Sequence, residues 1–198
     1  MAGDTRAWQR MLSGRRLDLI DPSPLDIEIA DIAHGLARVA RWNGQTSGAE
    51  VFSVAQHCLL VEALVGALAP QAATDARLAA LLHDAPEYVI GDMISPFKAV
   101  IGGGYKAVEA RLLAAVHRRF GLAAPAPPET LALIKGADRV AAFFEATRLA
   151  GFSTGEAQKL FGRPKIALAD VEAYLEPARP AEAQRRFLRR FAELDESR

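Results

Sequence analysis

The sequence predicts an all-α domain, and three observations carry that expectation. Apolar residues recur at helical spacing along most of the chain, no alternating apolar and polar run of useful strand length is present, and the breaks between periodic stretches are short clusters of proline and glycine. At 198 residues the chain suits one compact domain with a substantial core.

The elements follow in order. Asp21-Pro22-Ser23-Pro24 punctuates a turn, after which Ile27, Ala30, Ile32, Leu36, Val39 and Ala40 sketch a helix ending near Trp42-Asn43-Gly44. Ser53 is suited to cap the next helix, with Gln56 three places on as in a capping box. The apolar face of that helix runs Val54, His57, Cys58, Val61, Leu64, Val65 and Leu68 before Pro70, so His57 is expected to point inward. Thr74 is expected to cap a third helix over residues 75 to about 84, apolar enough to be central, and Pro86 should end or kink it. Neighbours on a regular helix point about 100° apart, yet at a fraying end His83 and Asp84 can both turn toward one ion.

Pro96 and Gly102-Gly103-Gly104 mark a loop before a helix over residues 105–120, and the Pro-rich stretch 124–128 is a connector. Residues 129–149 then set Leu131, Ile134, Asp138, Ala141, Ala142, Glu145 and Leu149 on one face. A carboxylate at Asp138 on such a face requires a charge partner or a metal. Beyond Gly151 the pattern weakens, with helices expected around residues 169–175 and 181–194. In the latter, Arg185-Arg186 and Arg189-Arg190 alternate with Phe187, Leu188 and Phe191, as in an amphipathic helix packed on the core or on the second subunit of a homodimer.

Composition narrows the function. Net charge is zero and the pI is near 6.9, so no polyanion-binding surface is expected and nucleic acid is disfavoured as a partner. The first twelve residues carry Asp4, Arg6 and Arg10 without the apolar core of a signal peptide, and no apolar run is long enough for a bilayer. A cytoplasmic protein with no membrane partner is expected. Cys58 is the only cysteine, which excludes an internal disulfide and a cysteine-based zinc site. Metal ligands must come from histidine and carboxylates.

Such a set exists. His57, the pair His83-Asp84, and Asp138 fall on three predicted helices and have the types and number to hold one divalent cation. Two imidazoles and two carboxylates suit Mn, Co, Fe, Ni or Zn more than calcium, with Mg also admitted. Glu87 and Asp92, just past the pair, supply carboxylates not needed as ligands, and a metal flanked by spare carboxylates is equipped for hydrolysis.

The segments Phe52-Ser53-Val54-Ala55-Gln56-His57-Cys58, Leu81-Leu82-His83-Asp84-Ala85-Pro86-Glu87 through Gly91-Asp92, and Ile134-Lys135-Gly136-Ala137-Asp138 resemble the H…HD…D signature of HD-domain phosphohydrolases, most closely the bacterial 5′-deoxynucleotidases and related bacterial and phage hydrolases. The resemblance spans residues 27–149 and leaves 150–198 as a helical extension of a single domain. It implies an HD-domain helical bundle with one metal on His57, His83, Asp84 and Asp138, with Glu87 orienting or deprotonating the nucleophilic water and Asp92 beside the scissile phosphate. By the same likeness Arg41-Trp42 matches the Arg-Trp or Arg-Phe at the substrate mouth, Arg41 to clamp a phosphate and Trp42 to stack on a base or sugar. Lys98 matches a Pro-x-Lys stretch. The implied activity is release of phosphate from deoxynucleoside monophosphates. The alternatives are a deoxynucleoside triphosphate triphosphohydrolase and a non-catalytic nucleotide sensor. The family's frequent Glu before the first histidine and Ser after it are Gln56 and Cys58 here, and Asn43-Gly44-Gln45-Thr46 replaces Gly-Gly-His-Thr, changes that bear on substrate preference. His34, on one face with Asp31, is expected to be structural, and Lys135 and His117 are expected on the surface.

Overall fold

The computed structural model describes residues 6–94, 97, 100, 104–167, 169 and 171–198. The helices are α1 (Ile29–Leu36), α2 (Val54–Leu68), α3 (Thr74–Leu81), α4 (Glu87–Ile90), α5 (Gly104–Arg119), α6 (Pro128–Arg148), α7 (Thr154–Phe161) and α8 (Pro180–Asp195). A short antiparallel hairpin, β1 (Trp8–Arg10) and β2 (Arg16–Asp18), precedes them with Gln9 opposite Leu17. The hairpin was not foreseen, because three residues per strand are too few to display an alternation. Its inward residue, Leu17, is fully buried, and Trp8 lies beneath the guanidinium groups of Arg6, Arg10 and Arg16.

Helix α2 is the axis of the molecule. It packs against α1, α3, α6 and α8, and it is buried on nearly every side, as expected of a helix whose apolar residues do not confine themselves to one stripe. The capping box read from Ser53 and Gln56 starts it. Gln56 also has a tertiary role, since its amide donates to the Glu176 carbonyl at 2.7 Å and accepts from the Ala178 N–H at 3.2 Å. A glutamate could accept but not donate there. Gln56 therefore moors the C-terminal segment.

Helix α8 closes the other side. Ala183, Phe187, Phe191 and Leu194 are buried, so the core takes its apolar side, and each such phenylalanine contributes about 1.5–3 kcal/mol of burial. Arg190 grips the buried Glu62 of α2 through two bonds of 2.9 Å, with Arg77 of α3 on the same carboxylate. Proline at the first turn starts α6 and α8, where a missing N–H costs nothing.

Three boundaries depart from expectation. Ala73, not Thr74, is the N-cap of α3, which stops at Leu81 rather than near Asp84. Residues 82–86 form a turn, with the N–H of His83, Ala85 and Glu87 bonded to carbonyls three residues back, which is the tightening that Pro86 imposes on the chain ahead of it. Around residues 169–175 only a 3-10 turn, Glu172–Tyr174, is found among the described residues, while α7 was missed despite its Ser153 and Glu156 capping box. Expectations at Pro96, Lys98 and residues 101–103 lie outside the described residues.

Gly35 lets α1 lie against α4. A Cβ there would stand 2.7 Å from the Tyr88 carbonyl oxygen and 2.8 Å from its Cβ. Gly35→Ala is expected to lower stability by about 1–3 kcal/mol by prising these helices apart. An unchanged urea midpoint would show that α4 yields freely.

Candidate metal centre

His57 sits in the first turn of α2 and is fully buried. Its Nδ1 lies 2.5 Å from Oε1 of Glu145, on α6. Glu145 is fully buried, which alone would raise its pKa, but the charges of His57 and Arg41 and the bonds from His57 and Trp42 bring it down to about 2. An ionised carboxylate only accepts, so a proton belongs on Nδ1, and Nε2 is the nitrogen left for a second proton or for a metal. His83, in the turn after α3, repeats the arrangement with Nδ1 2.8 Å from the Ala80 carbonyl. The two rings lie 5.2 Å apart between centroids. Among the described residues, both Nε2 atoms are buried without a hydrogen-bond partner.

What these two atoms face is negative. Oδ2 of Asp84 lies 3.5 Å from Nε2 of His57 and 3.3 Å from that of His83, and Oδ1 of Asp138 lies 3.3 Å from Nε2 of His57. His57, His83 and Asp138 present ligand atoms all within 4.8 Å of one another, and Asp84 borders this set by touching both imidazoles. Lone pairs turned on carboxylate oxygens repel unless a positive charge lies between them. A proton is one solution: burial and Arg41 oppose charge on His57, but Glu145 and Asp138 outweigh them and raise its pKa to about 10. Burial would raise the Asp138 carboxyl, whereas the His57 bond and the charges of His57, His83 and Arg41 take it well below the usual carboxylate range. A divalent cation is the other solution, and the mixed N and O donors fit one of the Mn-to-Zn group.

The flank of the centre is set by pairing of two loops. Ala40 bridges Ser53, the Arg41 N–H donates to the Phe52 carbonyl at 2.9 Å, and the Val54 N–H donates to the Val39 carbonyl at 3.0 Å. Arg41 and Trp42 are thereby fixed beside the start of α2. Arg41 donates from Nη1 to Asp92 at 3.1 Å and from Nη2 to Glu145 at 3.4 Å. Burial opposes its charge, but Glu145, Asp92, Asp84 and Glu87 hold its pKa above the usual value. Trp42 donates from Nε1 to Glu145 at 2.8 Å, with its ring 5.6 Å from Phe152 and 6.2 Å from Phe161. Both Trp42 (φ 56°) and Asn43 (φ 51°) are left-handed, a conformation costing about 1–3 kcal/mol outside glycine and sustained only by surrounding contacts.

Glu87 heads α4 and is buried. The chain then reverses at Gly91, whose φ of 77° is open to glycine, and delivers Asp92 to Arg41. Cys58 is an inert neighbour, its thiol pushed up by burial and then by Asp84 and Glu87.

The structure thus gathers His57, His83, Asp84 and Asp138, and beside them Arg41, Trp42, Glu87 and Asp92. Lys98 lies outside the described residues, Lys135 is exposed, and Asp31 is tied to Ser13 in the hairpin loop. Two residues escaped the sequence reading. Glu145 was placed on the right face of α6, seven residues or about 10 Å beyond Asp138, but without a role. His117 was expected on the surface and is buried, with 4% exposure; its signal was Leu113 one turn earlier, outweighed by Arg118-Arg119 next to it.

No family model matches the chain. An uncharacterized protein of Rhodobacter capsulatus is 62% identical over 163 residues, an alignment covering 82% of this chain and 83% of the relative.

Proposed function

This chain belongs to the same family as the uncharacterized Rhodobacter capsulatus protein, and we propose that it is a metal-dependent phosphohydrolase of the HD-domain kind, releasing 5′-phosphate from deoxynucleoside monophosphates. One observation carries the reading: the buried Nε2 atoms of His57 and His83, unpartnered among the described residues and each aimed by its Nδ1 contact, converge on Asp84 and Asp138. The likeness of these residues, with Glu87 and Asp92, to the HD…D signature supplies the substrate class.

His57, His83, Asp84 and Asp138 would hold one divalent ion. Bound there, it supplies polarisation of a phosphoryl oxygen and acidification of a water. Glu87 lies outside the three-residue ligand cluster and is one turn past Asp84, whose carbonyl accepts the Glu87 N–H at 3.0 Å. Its carboxylate takes the proton of the attacking water. Glu145 keeps the His57 proton on Nδ1 and so keeps Nε2 available. Both terminal nitrogens of Arg41 are held by protein carboxylates, so Arg41 acts by positioning Asp92 and Glu145 rather than by clamping phosphate. Trp42 acts in the same frame, its ring held by Phe152 and Phe161. Among the described residues no helix is long and apolar enough to cross a membrane.

The test offers protein reconstituted with Mn, Co, Zn or Mg a panel of ribo- and deoxyribonucleoside mono- and triphosphates, with phosphate and triphosphate measured separately. Phosphate from deoxynucleoside monophosphates is expected, and Asp138→Ala should bind metal about tenfold more weakly or worse. Release of triphosphate would move the cleavage to the α-phosphate. A fully metallated protein inert toward every nucleotide would replace hydrolysis by nucleotide sensing.

A further inference from the structure

A cavity of about 300 Å³ opens directly beside the metal centre, with His83 and Asp138 at one side. Its remaining wall comes from α3, α5 and α6, with Ala79, Leu113, Leu131, Ile134 and Lys135 beside His117. The volume is at the small end of the range for sites that enclose an organic ligand, roughly 300–1,000 Å³. A phosphate at the centre would carry its ester substituent toward this mostly apolar space. Apart from His83, Asp138 and the exposed Lys135, one wall residue is polar. His117 contributes to the same cavity, and its Nδ1 lies 2.9 Å from the Ala123 carbonyl. A carbonyl only accepts, so the ring proton is on Nδ1 and Nε2 is an acceptor. Among the described residues that Nε2 is buried with no partner. Burial holds the His117 pKa below its ordinary value against the pull of the Ala123 carbonyl, so the ring stays neutral and the lone pair stays available.

A buried acceptor left unpaired in the wall of a mostly apolar cavity is costly unless something donates to it. We propose that this cavity receives the nucleoside part of the substrate and that His117 selects it, Nε2 accepting a hydrogen bond from an N–H or O–H of the base or sugar. The proposal rests on the phosphohydrolase reading for the identity of the ligand, while its geometry is independent of hydrolysis. His117 touches no reacting atom in it. Its effect falls on affinity and on the choice among nucleosides.

The test uses the four 2′-deoxynucleosides without phosphate and the full-length protein without metal, so that neither catalysis nor phosphate affinity enters. Calorimetric titration should show binding with a preference among the four. In protein with 15N-labelled histidine, the Nε2 resonance of His117 should shift on binding, as an imidazole lone pair does when it accepts a hydrogen bond. His117→Phe, which keeps an apolar ring and removes the acceptor, should weaken the preferred nucleoside about 10- to 100-fold. The resonance is read in the unaltered protein, so the proposal stands or falls even where the variant does not fold. Nucleoside binding that leaves the Nε2 resonance unmoved overturns the role of His117. A protein that hydrolyses nucleotides yet binds no nucleoside overturns the cavity as its subsite and leaves the phosphohydrolase reading intact. Binding with the shift, in a protein that releases no phosphate from any nucleotide, upholds the subsite and overturns hydrolysis.

Discussion

Glu87→Gln should lower kcat about 10²- to 10⁴-fold, the usual worth of general acid–base assistance, while metal content stays that of the unaltered protein. The expectation follows from where the residue stands. Glu87 is buried at the start of α4, yet the ligand cluster of His57, His83 and Asp138 forms without it. Its charge reaches Arg41 and Cys58, which places it on the inner side of the centre rather than on a surface turn. Glutamine keeps the volume and an accepting oxygen but not the capacity to take a proton. Single-turnover rates and elemental analysis on the same sample separate the roles: loss of metal would make Glu87 a ligand, and full activity would leave the water to Asp92.

Glu145→Gln should act on assembly instead, with a stability loss of about 3–5 kcal/mol and a 10- to 100-fold weaker metal affinity. The fully buried carboxylate receives His57 Nδ1 on one oxygen and both Trp42 Nε1 and Arg41 Nη2 on the other. An amide offers one accepting oxygen, so its NH₂ must be turned toward one of these donors, and Arg41 loses a counter-charge in either orientation. Denaturant unfolding without metal measures the first effect, and competition with a chelator measures the second. A variant with unaltered midpoint and unaltered metal affinity would remove Glu145 from the support of His57.

The parts of this arrangement visible in the sequence were those with a local cause. Ser53 and Gln56 announce the start of α2 through a capping box, and the inward face of that helix follows from periodicity, so the burial of His57 was legible. Pro86 likewise announces the break that frees His83 and Asp84 from a regular helix. What stayed hidden had its cause elsewhere in the chain. Glu145 meets His57 across 88 residues, and the Arg41 contact to Asp92 spans 51, distances over which no pattern of neighbours reports. Gln56 looked like a change in substrate chemistry because its partners, Glu176 and Ala178, lie in a segment whose course no periodicity fixes. His117 was misjudged because two exposed arginines beside it outweighed the α5 face it shares with Leu113. The mostly helical architecture was legible, apart from a hairpin too short to leave an alternation.

The left-handed backbone at Trp42 and Asn43 has a consequence for the order in which the molecule comes together. A tryptophan does not hold that conformation on its own, and the carboxylate that steadies its indole lies 103 residues away on α6. The segment from Ala40 to Gly44 can therefore settle only after α2 and α6 have docked. Amide exchange across Ala40 to Gly44 is therefore expected to be faster than along α2 and α6, and equal protection would show that the segment opens only with the whole domain.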